Sequence, residues 1–153
     1  MEGMAWQDPR DFQRVFDDLY PQSHALALRI LRDQAAAEAV ATEALARAYA
    51  RWPKIRKQPH PDGWVLRLTG NLATASLSRF TDRPSELSEA LAALPTEVRE
   101  PVILRYLTEL DEVEVALVLG TSEEAVRTRV RDGLLTLKQL LTGEAPAHAV
   151  HPA

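Results

Sequence analysis

The sequence predicts an all-α protein made of two small helical domains. Three observations lead there. Apolar residues recur at helical spacing along nearly all of the 153 residues. Strand signals are nearly missing, with no sustained polar–apolar alternation and no Asn-Gly hairpin turn. Finally, Thr81-Asp82-Arg83-Pro84-Ser85 breaks the helical pattern near the middle and divides three helices from four.

Asp8-Pro9 opens the first helix as an N-cap followed by proline at the first helical position. Phe12, Val15, Phe16, Leu19, Leu26 and Ile30 form its stripe. Pro21 lies inside and is expected to kink or split it, because proline removes one backbone bond. A second helix spans Gln34 to Trp52, with Val40, Ala44, Ala48 and Trp52 on one face, and Pro53 ends it. The proline-rich PKIRKQPHPDG reads as a loop. The third helix starts at Pro61 and reaches Phe80, with Trp64, Leu68, Leu72 and Ala75 in register. Beyond the break, helices over 86–93 and 95–107 lead to LDEVEVALVLGTSEEAVRTRVRDGLLTLKQLL at 110–141.

That last stretch is the most informative. Asp111 and Glu114 stand at capping-box spacing. Gly120 is the residue type that ends a helix at little steric cost. The next helix opens at Thr121 or Ser122, with Glu124 placed for a second box. Val126, Val130, Leu134, Leu137 and Leu141 give it one apolar stripe, and Arg127, Arg129 and Arg131 point elsewhere. Two capped helices joined by a glycine turn, with arginines on the second, form a helix-turn-helix suited to a DNA major groove. The same residues also fit an ordinary helical hairpin with solvated arginines. The domain plan is therefore 8–80, a linker over 81–86, a four-helix domain over 87–142 that contains the helix-turn-helix, and a flexible tail over 143–153.

Composition bounds the function. Hydrophobic residues at 46% suffice for a core, and charged residues at 26% are too balanced for wholesale disorder. Cysteine is absent, which excludes disulfide and thiol chemistry and fits the reducing cytoplasm. No apolar run approaches the ~20 residues that span a bilayer, so no membrane partner is expected. MEGMAWQDPR has an early acid and no apolar centre, unlike a secretory signal. The net charge of −4 disfavours indiscriminate nucleic-acid binding but allows a local basic patch. Arg47, Arg51, Lys54, Arg56 and Lys57 supply one, with no acid between Ala44 and Gln58. Trp52 lies among them and Trp64 follows. Basic residues interleaved with aromatics suit single-stranded DNA, although both tryptophans also fall on core stripes. His24, His60, His148 and His151 lack metal-ligand spacing with acids, and no glycine-rich phosphate loop exists. The expectation is a non-enzyme with no catalytic residue, metal or cofactor.

LAALPTEVREPVILRYLTELDEVEVALVLGTSEEAVRTRVRDGLLTLKQLL resembles the promoter-recognising C-terminal domain of the bacterial sigma-70 family, extracytoplasmic-function type. AAAEAVATEA at 35–44, ALARAYARW at 44–52 and HPDGWVLRLTGNLA at 60–73 are similar to the family's polymerase-binding and promoter-melting helices. The resemblance covers about residues 10–142. It implies a cytoplasmic transcription-initiation factor whose partners are core RNA polymerase, promoter DNA and an anti-sigma or other regulatory protein. The first domain of such factors docks on a coiled coil of the polymerase's largest subunit and captures flipped bases; the second reads the upstream duplex element.

Carried over by position, Arg127 and Arg129, with Arg131 as a further candidate, would contact phosphates or guanine edges. Ser122 would offer a phosphate its N–H and hydroxyl at the helix start. Arg51, Lys54, Arg56, Lys57, Asn71 and Arg79 would meet the melted strand, and Glu38, Glu43 and Arg47 the polymerase. Three features depart from the family pattern: the docking helix, the end of the melting helix and the linker. Ala39 and Thr42 occupy two of the positions where the family's docking helix carries an acidic pair and a Gln-Glu, leaving Glu38 and Glu43. The melting helix ends NLATASLSRF, with Arg79 and Arg83 the only basics near its end. Glu123 and Glu124 favour the helix dipole but repel phosphate. The linker over 81–86 reaches about 20 Å at ~3.5 Å per residue, whereas promoter elements one and a half turns apart lie ~50 Å apart. These departures define the alternative, a degenerate sigma-like protein that acts as an interaction or regulatory module without promoter melting.

Overall fold

The computed structural model describes residues 9–143, among which there are nine helices and no strand. They are α1 (Pro9–Leu31), α2 (Gln34–Ala50), α3 (Trp52–Ile55), α4 (Pro61–Ala75), α5 (Leu77–Phe80), α6 (Glu86–Ala93), α7 (Thr96–Tyr106), α8 (Glu112–Leu119) and α9 (Glu123–Thr142). Asp8, expected as the cap of α1, and residues 144–153 of the expected tail lie outside the described residues.

Pro21 neither splits nor ends α1, contrary to one expectation from the sequence. It lies on the exposed side, so the carbonyl it strands faces water. Gln22 Nε2 donates to Asp18 O at 3.1 Å, adding a donor to the weakened turn. Leu19, Leu26 and Ile30 are buried on either side of it. Their packing outweighs the ~3 kcal/mol that an internal proline costs.

Pro53 does not end α2; that helix stops at Ala50, and Pro53 sits in the first turn of the short α3. The expected loop therefore begins helical, and Trp52 and Ile55 are buried there. The third helix stops at Ala75, and Ser76 joins it to the short α5. Its buried face is also displaced from the expected stripe. Val65, Leu66, Thr69, Gly70 and Ala73 are buried, Trp64, Leu68 and Leu72 are half-buried, and Ala75 is exposed. The reason is that α4 is central. It packs against α1 and α2 on one side and α6, α7 and α8 on the other, so one stripe cannot describe it.

Residues 81–85 are non-helical, and α4 before them is in contact with α6, α7 and α8 after them. One apolar cluster joins Leu26, Ile30, Leu66 and Ala73 of the front half to Leu91, Ile103, Leu104 and Val118 of the back half. A second, smaller core of Leu19, Leu45, Trp52, Ile55 and Val65 lies within the front half. Two glycines of α4 permit the close approach. A Cβ at Gly63 would stand 2.2 Å from Val118 Cγ2, and one at Gly70 would stand 3.1 Å from Ile103 Cγ2.

In the back half, the Asp111–Glu114 capping box forms in both directions: Glu114 N donates to Asp111 Oδ1 at 2.8 Å, and Asp111 N to Glu114 Oε1 at 3.0 Å. Gly120 ends α8 at φ 64°, with nothing within 4 Å of a hypothetical Cβ, so backbone conformation rather than space calls for glycine. Ser122 caps α9 by accepting from Ala125 N at 3.0 Å. Ala125 thus holds the position that a second box would need, and the box expected from Glu124 does not form. The buried stripe of α9 is Val126, Val130, Gly133 and Leu137, while Leu134 and Leu141 are exposed. Gly133 takes Leu134's expected place because α7 crosses there; a Cβ would come within 2.5 Å of Val102 Cγ2.

Candidate nucleic-acid interface

At about 100° per residue, Arg127 and Arg131 share one flank of α9 with Leu134, Leu135 and Lys138. Arg129 lies about 200° from Arg127, on the opposite flank. The structure therefore brings Arg127 and Arg131 together and leaves Arg129 apart. Arg105 and Tyr106 from the end of α7, and Glu112 from α8, complete an open groove along the first flank. Arg105 sits over the Tyr106 ring at 5.6 Å. Arg127 Nη1 pairs with Glu112 Oε1 at 2.9 Å, yet its side chain is 62% exposed. A pair that exposed contributes about 1 kcal/mol or less and can exchange for a phosphate. Ser122 is exposed; its Oγ accepts the capping N–H and its O–H stays able to donate. Glu123 and Glu124 are exposed in the first turn, where they favour the helix dipole.

Asn71 is not on an open surface. Its Nδ2 donates to Glu100 Oε2 at 2.7 Å, and Arg67 Nε donates to the same oxygen at 2.8 Å. Glu100 belongs to α7 and is buried. Neither Arg67 nor Glu100 stood out in the sequence. Arg67 could have been noticed, because it precedes Asn71 by four residues and so shares its helix face.

His60 also has a structural place. Its Nδ1 accepts the Gly63 N–H at 3.0 Å and caps α4, and its Nε2 lies 3.0 Å from Glu114 Oε2. With Nδ1 accepting, Nε2 carries the proton and donates to Glu114. The Asp111 backbone N–H, and after it the His60 ring, hold the Glu114 carboxyl below its ordinary value.

The basic side chains Arg51, Lys54, Arg56 and Lys57 are all exposed around α3. Trp52 is buried and Trp64 half-buried, so neither presents an open ring for stacking. The exposed aromatic of this region is Tyr49, 4.9 Å from the Phe12 ring, and the sequence reading passed over it. Its place within the same basic run was the available signal. Arg79 is exposed beside Phe80, with Nη2 3.2 Å from Ser76 Oγ. On α2, Glu43 and Arg47 form an ion pair at 2.5 Å, and Glu38 accepts from Gln34 at 3.1 Å. Ala39 and Thr42 are exposed between these charged residues. Among the described residues no group of His, Cys, Asp and Glu could hold a metal ion. Nor is any helix among them long and apolar enough to cross a membrane.

Comparison with known proteins matches this two-part arrangement. Residues 15–83 match the family model for sigma-70 region 2, and residues 85–137 match that for sigma-70 region 4. The chain is 30% identical over 147 residues to the probable RNA polymerase sigma factor RfaY of Xanthomonas campestris pv. campestris. That similarity covers 76% of this chain and 37% of the relative, so the chain spans little more than a third of that protein's length. Among solved structures, the sigma factor RpoE in complex with the anti-sigma factor NepR from Bartonella quintana shares the fold. Its TM-score is 0.57 at 17% identity, over 89% of this chain and 99% of that one. The RsbN–BldN complex aligns at a TM-score of 0.43 and 24% identity, over 92% of this chain and 99% of that one. With region 2 matched before the break and region 4 after it, the chain belongs to the sigma-70 family, in the arrangement of its extracytoplasmic-function type.

Proposed function

We propose that this chain is a transcription-initiation factor that binds core RNA polymerase and promoter DNA in the cytoplasm. The observation that carries the reading is the capped helix-turn-helix, whose α9 keeps Arg127 and Arg131 on one exposed flank. Ser122, Arg127 and Arg131 form the proposed duplex-reading face. A helix in a major groove turns its flanks toward the bounding phosphate strands, so Arg129 is assigned phosphate contact instead of base reading. The exposed Arg51, Lys54, Arg56 and Lys57, with Arg79 and Asn71, are proposed for the melted strand. Glu38, Glu43 and Arg47 are proposed for the polymerase.

The role is binding, not covalent chemistry. Contacts to unstacked bases offset the cost of melting, and the polymerase makes the phosphodiester bonds. Matches to both regions support this reading over an interaction module without promoter melting. A protein of the anti-sigma class is the proposed regulatory partner.

The test pairs a core-polymerase pull-down with a duplex gel shift on a randomised promoter library. Retention by polymerase together with enrichment of one upstream element is the expected result. A chain that is retained by polymerase but enriches no sequence would be a regulatory module instead.

A further inference from the structure

We infer that the two halves close on each other in an autoinhibited state, with Glu100 standing where a nucleic-acid phosphate would meet Arg67 and Asn71. The inference rests on the reading of α4 as a melted-strand helix. It adds the reason why this face would be closed to DNA in the free chain.

Glu100 lies in the middle of α7 beside Pro101, Val102, Ile103 and Leu104, all buried. A carboxylate there is costly unless paired. Both of its donors come from the other half of the chain and converge on one oxygen, Arg67 Nε at 2.8 Å and Asn71 Nδ2 at 2.7 Å. A guanidinium and an amide one turn apart, directed at one anionic oxygen, can serve a phosphate as well as a carboxylate.

The fit between the halves is also steric. Gly63 and Gly70 stand two turns apart on α4, and they admit Val118 of α8 and Ile103 of α7 where a methyl group would clash or press. Three further polar contacts cross the same boundary: His60 to Glu114 at 3.0 Å, Arg29 Nη1 to Leu107 O at 2.6 Å, and Ser88 Oγ to Ile30 O at 2.5 Å. A connection as short as 81–85 keeps the two surfaces at high effective concentration. The outer flank of α9 stays exposed in this state. Closure thus permits duplex reading and masks the Arg67–Asn71 part of the strand-capturing face until the halves part, while the basic residues around α3 stay exposed.

The chain has no cysteine, so Ala46→Cys and Leu140→Cys, both at exposed positions, can carry a pair of distance labels. Two variants act by different routes. Glu100→Gln removes the anion and keeps the shape. Gly63→Ala leaves Arg67, Asn71 and Glu100 untouched and drives a methyl group toward Val118 Cγ2 and, at 2.9 Å, toward the capping His60 Nδ1, while raising the helix propensity of α4. Each is expected to shift the distance distribution of the full chain to longer values. Each should also bind a fluorescent single-stranded oligonucleotide about tenfold tighter, the gain that follows if the open fraction rises from roughly one in ten to nearly all. Adding Arg67→Ala to Gly63→Ala should abolish that gain. Folded variants whose label distance matches the parent's would overturn closure by these residues. Opening with no gain in oligonucleotide affinity would overturn the masking. The pull-down and duplex gel shift on the same variants then report separately on the initiation-factor reading.

Discussion

His60 and Glu114 meet across the boundary between the halves, Nε2 to Oε2 at 3.0 Å, and each is at the same time a helix cap. His60 Nδ1 closes the first turn of α4, and Glu114 completes the box that opens α8. One contact therefore ties two helix starts together, and loss of either side chain is felt in both halves.

The pH dependence follows from Glu114. Its carboxyl is held below its ordinary value, first by the Asp111 N–H and then by His60. A depressed carboxylate contributes stability that is full above its unfolded-state value and is lost as pH falls through the lower folded-state value. Thermal unfolding of the parent should therefore lose stability more steeply on acidification below the ordinary carboxylate range than that of Glu114→Gln. Parallel curves for the two proteins would show that the box contributes nothing through charge.

His60→Ala removes an N-cap acceptor and should cost about 0.5–2 kcal/mol in urea unfolding. His60→Asn, which can accept the same N–H, should recover most of that loss in α4 but not the contact with Glu114. Equal losses in both variants would assign the stability to the Glu114 contact alone.

Two glycines of the back half should respond differently to a methyl group. Gly120→Ala meets no atom within 4 Å but must hold φ at 64°, a cost of about 1–2 kcal/mol. Gly133→Ala would press on Val102 Cγ2 and Val98 Cγ1, at 2.5 and 2.8 Å, both branched, the first buried and the second half-buried at the α7–α9 crossing. Overpacking of this kind costs about 1–3 kcal/mol and displaces a helix besides. Gly133→Ala should be the more destabilising of the two in chemical unfolding. The reverse order would mean that the crossing is looser than its geometry.

Duplex binding should divide the three arginines. Arg127→Ala and Arg131→Ala share a flank of α9, and each should weaken binding by about 1–3 kcal/mol if a base is contacted. Arg129→Ala, on the other flank, should weaken all sequences alike and lower the salt slope by about one. Equal loss of sequence preference in all three variants would place the reading face elsewhere on the helix.

What the sequence made legible was local. The Asp111–Glu114 box, the left-handed Gly120 and the span of α6 depend on atoms a few residues apart, and such bonds leave a pattern at fixed spacing. What it hid was tertiary. Gly63, Gly70 and Gly133 matter for what they leave out, and a stripe of apolar residues passes over them. Asn71 reads as a surface amide until Glu100, 29 residues away, comes to rest against it. Trp64, Leu68 and Leu72 mark an edge of α4 rather than its centre because the helix is covered on two sides. The separation of Arg129 from Arg127 is a different matter: 100° per residue shows it without any structure.

The linker sets the last prediction. Residues 81–85 connect α5 to α6 without helix, a reach of about 20 Å at ~3.5 Å per residue. Two promoter elements one and a half duplex turns apart lie ~50 Å apart, and domain dimensions bridge only part of that difference. The same brevity favours closure of α6, α7 and α8 on α4, since a short tether keeps the halves in each other's presence. Inserting about twenty flexible residues after Asp82 should act twice: it extends the reach and, by loop-closure entropy, lowers the closed population. Transcription with core polymerase should rise in the lengthened chain, and Glu100→Gln in the short chain should recover less of it, because opening alone leaves the reach unchanged. Efficient initiation by the unmodified chain from a promoter of ordinary spacing would overturn the geometric argument, since the halves would then part and span the elements without help.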